Sequence, residues 1–181
     1  MERFRTQYKC TVICVHEGDI AEVDAEALIT AINSSGLWLE KIDDTIRRYA
    51  GTVFHNKARD TMPLKDGQTV VTRRIFEHSG GWGDVVFVVD NLKSPLSQIV
   101  CSALIAAQNA GYQTVSLPAI RTGKTLGAVE KDAETTVIEL LKAVRNFLDT
   151  TPNVTIKEIH FVVFGDQIVL SLLTNTAITS I

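Results

Sequence analysis

The chemistry-bearing residues of this chain gather where strand-like runs give way to polar loops. The fullest case is Thr114–Pro118, which runs into Ala119-Ile120-Arg121-Thr122-Gly123-Lys124-Thr125 and then toward a long amphipathic pattern. A strand, a glycine loop and a helix start in that order make a site for phosphate or pyrophosphate, because main-chain N–H groups and the helix dipole both favour an anion. Gly123-Lys124-Thr125 also invites a reading as the end of a nucleoside-triphosphate loop, whose lysine reaches the terminal phosphates and whose hydroxyl binds magnesium. That reading fails at Pro118, which stands where the first glycine belongs. Its fixed φ and missing N–H spoil the cradle, and no partner aspartate for a metal is evident.

Further polar atoms stand at other strand ends. Asp19, just past Thr11–His16, can accept from an exocyclic amine such as adenine's, or Gly18-Asp19 can merely shape a turn. Asn33 closes Ala27–Ile32 and precedes Ser34-Ser35-Gly36. Its amide can donate to and accept from sugar hydroxyls, or it can cap the chain. Asp43 and Asp44 fall in the first turn of a helical pattern, where a carboxylate interacts well with the dipole. Gly80-Gly81-Trp82-Gly83 lies between strands, so a hairpin turn accounts for it. His16, His55, His78 and His160 are scattered and pair with no evident nucleophile, so a Ser/His/Asp hydrolase has no support. Cys10 and Cys14 read as two small apolar positions on one strand, since no C-x-x-C, H-x-x-x-H or H-E-x-x-H completes a metal set.

These loops require strands and helices in alternation. Thr11–His16 and Ala27–Ile32 are β-rich, and Ile42, Ile46, Tyr49, Ala50 and Val53 recur at helical spacing, with Gly51 as an interruption. A strand at Gln68–Arg74 leads by a hairpin-like link to Asp84–Asp90, whose near-continuous apolar run fits a strand covered on both faces. Ser94-Pro95 opens a helix over Ser97–Ala110 with a capping hydroxyl, and Gly111 closes it. After the strand Thr114–Pro118, a helix carries Ala133, Val137, Leu140, Leu141, Val144 and Leu148 and ends at Pro152-Asn153. A last strand at Lys157–Phe164 precedes an apolar tail, Gln167–Ile181, of unassigned form. Such alternation predicts an α/β fold with a mixed, mostly parallel sheet, helices on both faces and ligands at the carboxyl ends of the strands. The loops to search are Glu17–Ala21, Asn33–Asp43, Asn91–Ser94 and Ile120–Gly127.

Composition narrows the function classes. With 181 residues, 45% hydrophobic and 22% charged, the chain can bury a core of its own. A formal charge of −3 and isolated basic pairs, Arg47-Arg48 and Arg73-Arg74, argue against coating a nucleic acid. Three cysteines without a dense spacing fit a reducing compartment. The charged start and the lack of a long apolar run predict a soluble, cytoplasmic protein without a membrane segment.

Four ordered segments together resemble the macro domain family, whose members bind ADP-ribose and some of which hydrolyse it from modified proteins. Gly18-Asp19-Ile20 with Val23-Asp24-Ala25 looks like the family's first strand-end motif, and Ala27–Asn33, "ALITAIN", like its "IVNAAN" strand. Ile42–Gly51 is similar to the "VDGAIHRAAG" helix, and Ser116–Gly123 to the "FPAISTG" phosphate loop. The resemblance implies a three-layer α/β/α domain over residues 1–181, with ADP-ribose or an ADP-ribosylated protein as partner and neither cofactor nor metal. By the same resemblance Asp19 meets the adenine amine, Ile20 its edge, and Asn33 the distal ribose. Thr122, Gly123 and Lys124, with Thr125 beside them, face the diphosphate, and Asp43 orients or activates water in hydrolytic members.

The chain departs from the family pattern at several points. Leu39-Glu40-Lys41 replaces a run of glycines and is expected to narrow the distal half of the cleft. Thr30 stands for the strand's first Asn, and Arg121 for the phosphate-loop serine. The loop through Gly127 is one residue longer. Arg121 or Lys124 is expected to compensate with a cationic contact to phosphate. Binding is the leading function, hydrolysis through Asn33 and Asp43 the alternative, and an interaction surface without nucleotide a further one.

Overall fold

The structure, a computed structural model, describes residues 1–35 and 41–180, the side chains of 178–180 excepted. Its frame is a sheet in the order β1-β2-β7-β6-β3-β5-β4, where β1 is Glu2–Tyr8, β2 Thr11–Glu17, β3 Ala25–Ile32, β4 Thr69–Thr72, β5 Trp82–Val89, β6 Thr114–Pro118 and β7 Glu158–Val163. The five inner strands run parallel, and β1 and β4 close the edges antiparallel. The helices are α1 (Ile42–Ala50), α2 (Val53–Arg59), α3 (Leu96–Asn109), α4 (Ala133–Thr150) and α5 (Gln167–Ser180).

Side-chain alternation along the strands builds two cores. Val86 and Val88 of β5 join Ile13, Val15, Ile29, Val115, Ile159 and Phe161 beneath α3, α4 and α5. Val85, Phe87 and Val89 face the opposite way and pack with Leu28, Ile32, and Ile46, Ala50, Phe54 and Ala58 of α1 and α2. This is the α/β/α sandwich expected from the sequence, and the apolar run at Asp84–Asp90 is continuous because both faces of β5 are covered.

Several local expectations change. The expected strand Thr11–His16 gains an edge partner, β1, so Cys10 lies in the β1–β2 turn, exposed, while Cys14 is buried. Gly51 ends α1 in a left-handed conformation, φ 65°, and accounts for the break before α2. Gly80-Gly81 is no tight hairpin, because β4 ends at Thr72 and β5 begins at Trp82. Gly81 is needed for close approach instead: a Cβ there would meet the Val23 carbonyl oxygen at 2.6 Å. Ser94 does not cap α3, since its hydroxyl donates to Asp66 Oδ2 at 2.5 Å. Glu130 Oε1 accepts from the Leu96 N–H in its place, at 2.9 Å. The apolar tail is the helix α5, which adds Val169, Leu170, Leu173 and Ala177 to the larger core. No described helix is long and apolar enough to cross a membrane.

Candidate ligand-binding cleft

The crossover order brings the carboxyl ends of β2, β6 and β7 side by side, facing the first turns of α1. Among the described residues a cleft of about 510 Å³ opens there. Gly18, Asp19 and Ile20 form one wall, Pro118, Ala119, Thr122, Gly123 and Lys124 the floor, and Phe164 and Asp166 the lip. Lys41, Asp44 and Arg48 project from α1 and the residue before it.

Each wall is set by short-range chemistry. The Gly18 N–H donates to the Val163 carbonyl at 3.0 Å, tying the exit of β2 to that of β7. Asp19 then caps a 3-10 turn at Ile20–Glu22, its Oδ1 accepting from the Ala21 N–H at 3.0 Å. The turn reading of Gly18-Asp19 is therefore real, and it holds Asp19 at the cleft wall. Thr122 folds back on Ala119, whose carbonyl accepts from its N–H at 3.3 Å and its hydroxyl at 2.6 Å. Among the described residues the N–H groups of Gly123 and Lys124 meet no acceptor, and both residues are exposed on the cleft floor. Adjacent unbonded main-chain N–H groups can seat an anion, and here they stand without a helix start, since α4 begins only at Ala133 behind the Asp132 cap.

Arg121 is not placed to meet a phosphate. It is 1% exposed, and its Nε and Nη2 donate to Asp90 at 2.8 and 2.7 Å. Nη1 donates to both oxygens of Glu130, at 3.0 and 2.9 Å, and Nη2 also to the Ser94 carbonyl. Burial works against the charged guanidinium, but the bonds from Asp90 and Glu130 outweigh it and hold its pKa above the usual value. Arg121 thus braces the loop after β6 against the start of α3 from within, in a left-handed conformation, φ 64°. Cations that do reach the cleft come from Lys41, Arg48 and Lys124.

Asp19, Ile20, Thr122, Gly123 and Lys124 are brought together; Asn33, Asp43, Arg121 and Thr125 do not line this cleft among the described residues. Asn33 Oδ1 accepts from the Ser35 N–H at 2.9 Å, the chain-turning role. Asp43 is buried, bonded to His55 Nε2 and paired with Arg47 at 3.1 Å. Burial keeps the His55 pKa low despite that carboxylate. The carboxylate of α1 that does face the cleft is Asp44, one residue on. Leu39 and Glu40, on which a narrowed distal cleft was expected, lie outside the described residues.

Phe164 and Asp166 are cleft residues that the sequence does not single out, while Asp44 and Arg48 stand out there only as a helix-start carboxylate and half of a basic pair. The rule that ligands sit at strand carboxyl ends covers β7 as much as β6, so the loop after Val163 carried the signal for Phe164. Its side chain is 73% exposed, unusual for an aromatic residue. Asp44 and Arg48 stand four apart, the spacing of one helix face.

No protein-family model matches the chain. The macrodomain of Oceanobacillus iheyensis solved with MES superimposes with a TM-score of 0.79 at 15% identity, over 99% of this chain and 97% of that one. The chain has the macro-domain fold. The macrodomain of Trypanosoma brucei in complex with ADP-ribose matches with a TM-score of 0.76 at 17% identity, over 91% of this chain and 68% of that one. Among curated proteins, a macro domain-containing protein of Streptomyces nogalater is 27% identical over 164 residues, 85% of this chain and 86% of its own length. ADP-ribose glycohydrolase MACROD2 of Xenopus laevis is 26% identical over 164 residues, 86% of this chain. The chain spans 39% of that relative's length. The macro-domain resemblance read from four motifs thus extends over nearly the whole chain, and three of the motifs, at Gly18–Ile20, Ile42–Gly51 and Ser116–Gly123, border the cleft, while the end of the β3 motif, Asn33, does not line it.

Proposed function

We propose that this macro-type domain binds ADP-ribose, free or attached to a protein, in the cleft at the carboxyl ends of β2, β6 and β7. The observation that carries the reading is the order of chemistry along that cleft. An exposed aromatic ring, Phe164, stands with Ile20 and the Asp19 carboxylate at one end, and the N–H groups of Gly123 and Lys124 follow on the floor. A planar base stacks on an exposed ring and an apolar edge, a carboxylate accepts from its amine, and a diphosphate takes paired N–H donors with Lys41, Arg48 or Lys124 as counter-charge. Trypanosoma brucei macrodomains of the same fold are solved with ADP and with ADP-ribose. Calorimetric titration with ADP-ribose, with ATP and with an unmodified protein tests it. Saturable heat with ADP-ribose and none with the unmodified protein is expected; absence of heat from folded protein removes the reading.

Hydrolysis of the bound ADP-ribose is the second reading, favoured by the Asp44 carboxylate facing the cleft. A carboxylate within reach of water can act as its base. Release of label from a modified protein by the unsubstituted chain, lost in Asp44→Ala, supports it. Activity that follows Asp43 instead assigns the role to the buried partner of His55.

A further inference from the structure

His16 and His160, 144 positions apart in the chain, meet on one face of the sheet. In the parallel pairing of β2 with β7, Cys14 stands opposite His160. His16 follows Cys14 by two residues, so all three side chains leave the same side of the pleat. The alternate positions Ile13, Val15, Ile159 and Phe161 fill the core under α3, α4 and α5. The trio faces the other way, on the β1 side of the cluster that α1 and α2 make with β3 and β5. Cys14 Sγ and one nitrogen from each imidazole lie within 4.8 Å of one another. Among the described residues no other group of three or more such side chains comes so close.

The surroundings orient these donors. His160 Nε2 lies 3.0 Å from Glu158 Oε2 without forming an aligned hydrogen bond, and Nδ1 turns toward His16. A carboxylate beside the far nitrogen of an imidazole stands where the outer partner of a metal-binding histidine is usually found. His160 Nδ1 in turn stands 2.9 Å from His16 Nε2. Glu2, opposite His16 on β1, and Glu158 bring negative charge, while Arg5 pairs with Glu2 at 3.0 Å and lies 3.7 Å from Glu158. With Cys14 as thiolate, two carboxylates and one guanidinium leave a surplus that a divalent cation balances. Without a cation, burial pushes the Cys14 thiol up to about 12 and lowers both imidazoles below their ordinary value.

We propose that Cys14, His16 and His160 form a zinc site, with the Glu2 carboxylate or a water as fourth donor. A thiolate and two imidazoles are donors that zinc takes in tetrahedral sites, at about 2.3 Å to sulfur and about 2.0–2.1 Å to nitrogen. Those bonds set the donors about 3–4 Å apart, a spacing that rotation of the side chains supplies. On binding, the thiol releases one proton to solvent, and an imidazole that carries its proton on the ligating nitrogen moves it to the other ring nitrogen. The ligands are then a thiolate and two neutral imidazoles. The site lies outside the ligand cleft but clamps the two strands that lead to it, β2 toward Asp19 and β7 toward Phe164.

The full chain, stripped with a chelator, is titrated with Zn²⁺ against a chromophoric competitor and separately with Co²⁺. One equivalent of Zn²⁺ per chain is expected, with a thiolate-to-cobalt charge-transfer band in the near ultraviolet. Cys14→Ser removes the band and weakens Zn²⁺ by more than about tenfold, the loss that even outer partners of a metal site cause. Cys10→Ser, in the exposed β1–β2 turn, leaves both unchanged. Because Cys14 is buried, His16→Gln at the half-buried position provides a second variant, each checked for its fold by circular dichroism. No Zn²⁺ uptake by the unsubstituted chain, or uptake that Cys14→Ser and His16→Gln both leave intact, overturns the proposal.

Discussion

At the end of the cleft formed by β2, β6 and β7, main-chain geometry fixes the polar groups; toward the α1 end, Asn33 and Asp43 are committed to neighbours outside the cleft. Asp19 sits on a capped turn anchored through Gly18 to β7, and the Gly123–Lys124 loop is braced from below by Arg121. Both leave polar atoms facing the cleft. Asn33 bonds its own turn, and Asp43 is bonded to His55 and Arg47. The difference teaches that a motif residue's type says what it can do, while its neighbours decide whether the atom is available. Arg121 makes the point most sharply: a cation in a phosphate loop, it is wholly engaged by Asp90 and Glu130.

The comparison is most strained by removing the brace. Arg121→Ala leaves two buried carboxylates without their cation and should cost about 3–5 kcal/mol, read as a shift of the urea midpoint. A loss of binding without loss of stability would show that Arg121 meets the ligand after all. Asp43→Ala, which strips buried His55 of its acceptor, should lower stability by about 1–3 kcal/mol in the same assay. Its ADP-ribose affinity should stay within about threefold, a difference under ~0.7 kcal/mol.

On the other side, Gly123→Pro deletes an outward N–H and should weaken ADP-ribose by more than about tenfold, ~1.4 kcal/mol, in a calorimetric titration. The smallest expected effect belongs to Phe164→Ala. Loss of stacking should cost about 0.5–1.5 kcal/mol of affinity, while the melting temperature barely moves because the ring is exposed.

The fold was legible because its signals are local. The continuous apolar run of β5, Gly51 at the end of α1 and the loop that follows β6 each depend on neighbours in sequence, although α4 starts only at Ala133, farther from Gly123 than a helix-start site requires. What escaped depends on partners far along the chain. Arg121 finds Asp90 31 residues back, and His160 finds His16 144 residues back, pairings that no spacing rule exposes. Cys14 was therefore read as a small apolar residue, although a metal-binding trio forms around it once β2 and β7 pair. Phe164 was missed for a simpler reason: the apolar end of the last strand looked like more core, and only its exposure distinguishes it.

The central claim, that the β2–β6–β7 end supplies the principal recognition, is tested most directly by titrating one preparation with ADP-ribose and with ADP, which lacks the distal ribose. The account predicts that both bind once per chain, with ADP within about tenfold of ADP-ribose, a gap of ~1.4 kcal/mol or less. Both should weaken together, by more than about tenfold, in Gly123→Pro. No heat from either ligand with folded protein, or ADP-ribose binding that Gly123→Pro leaves unchanged, would contradict it.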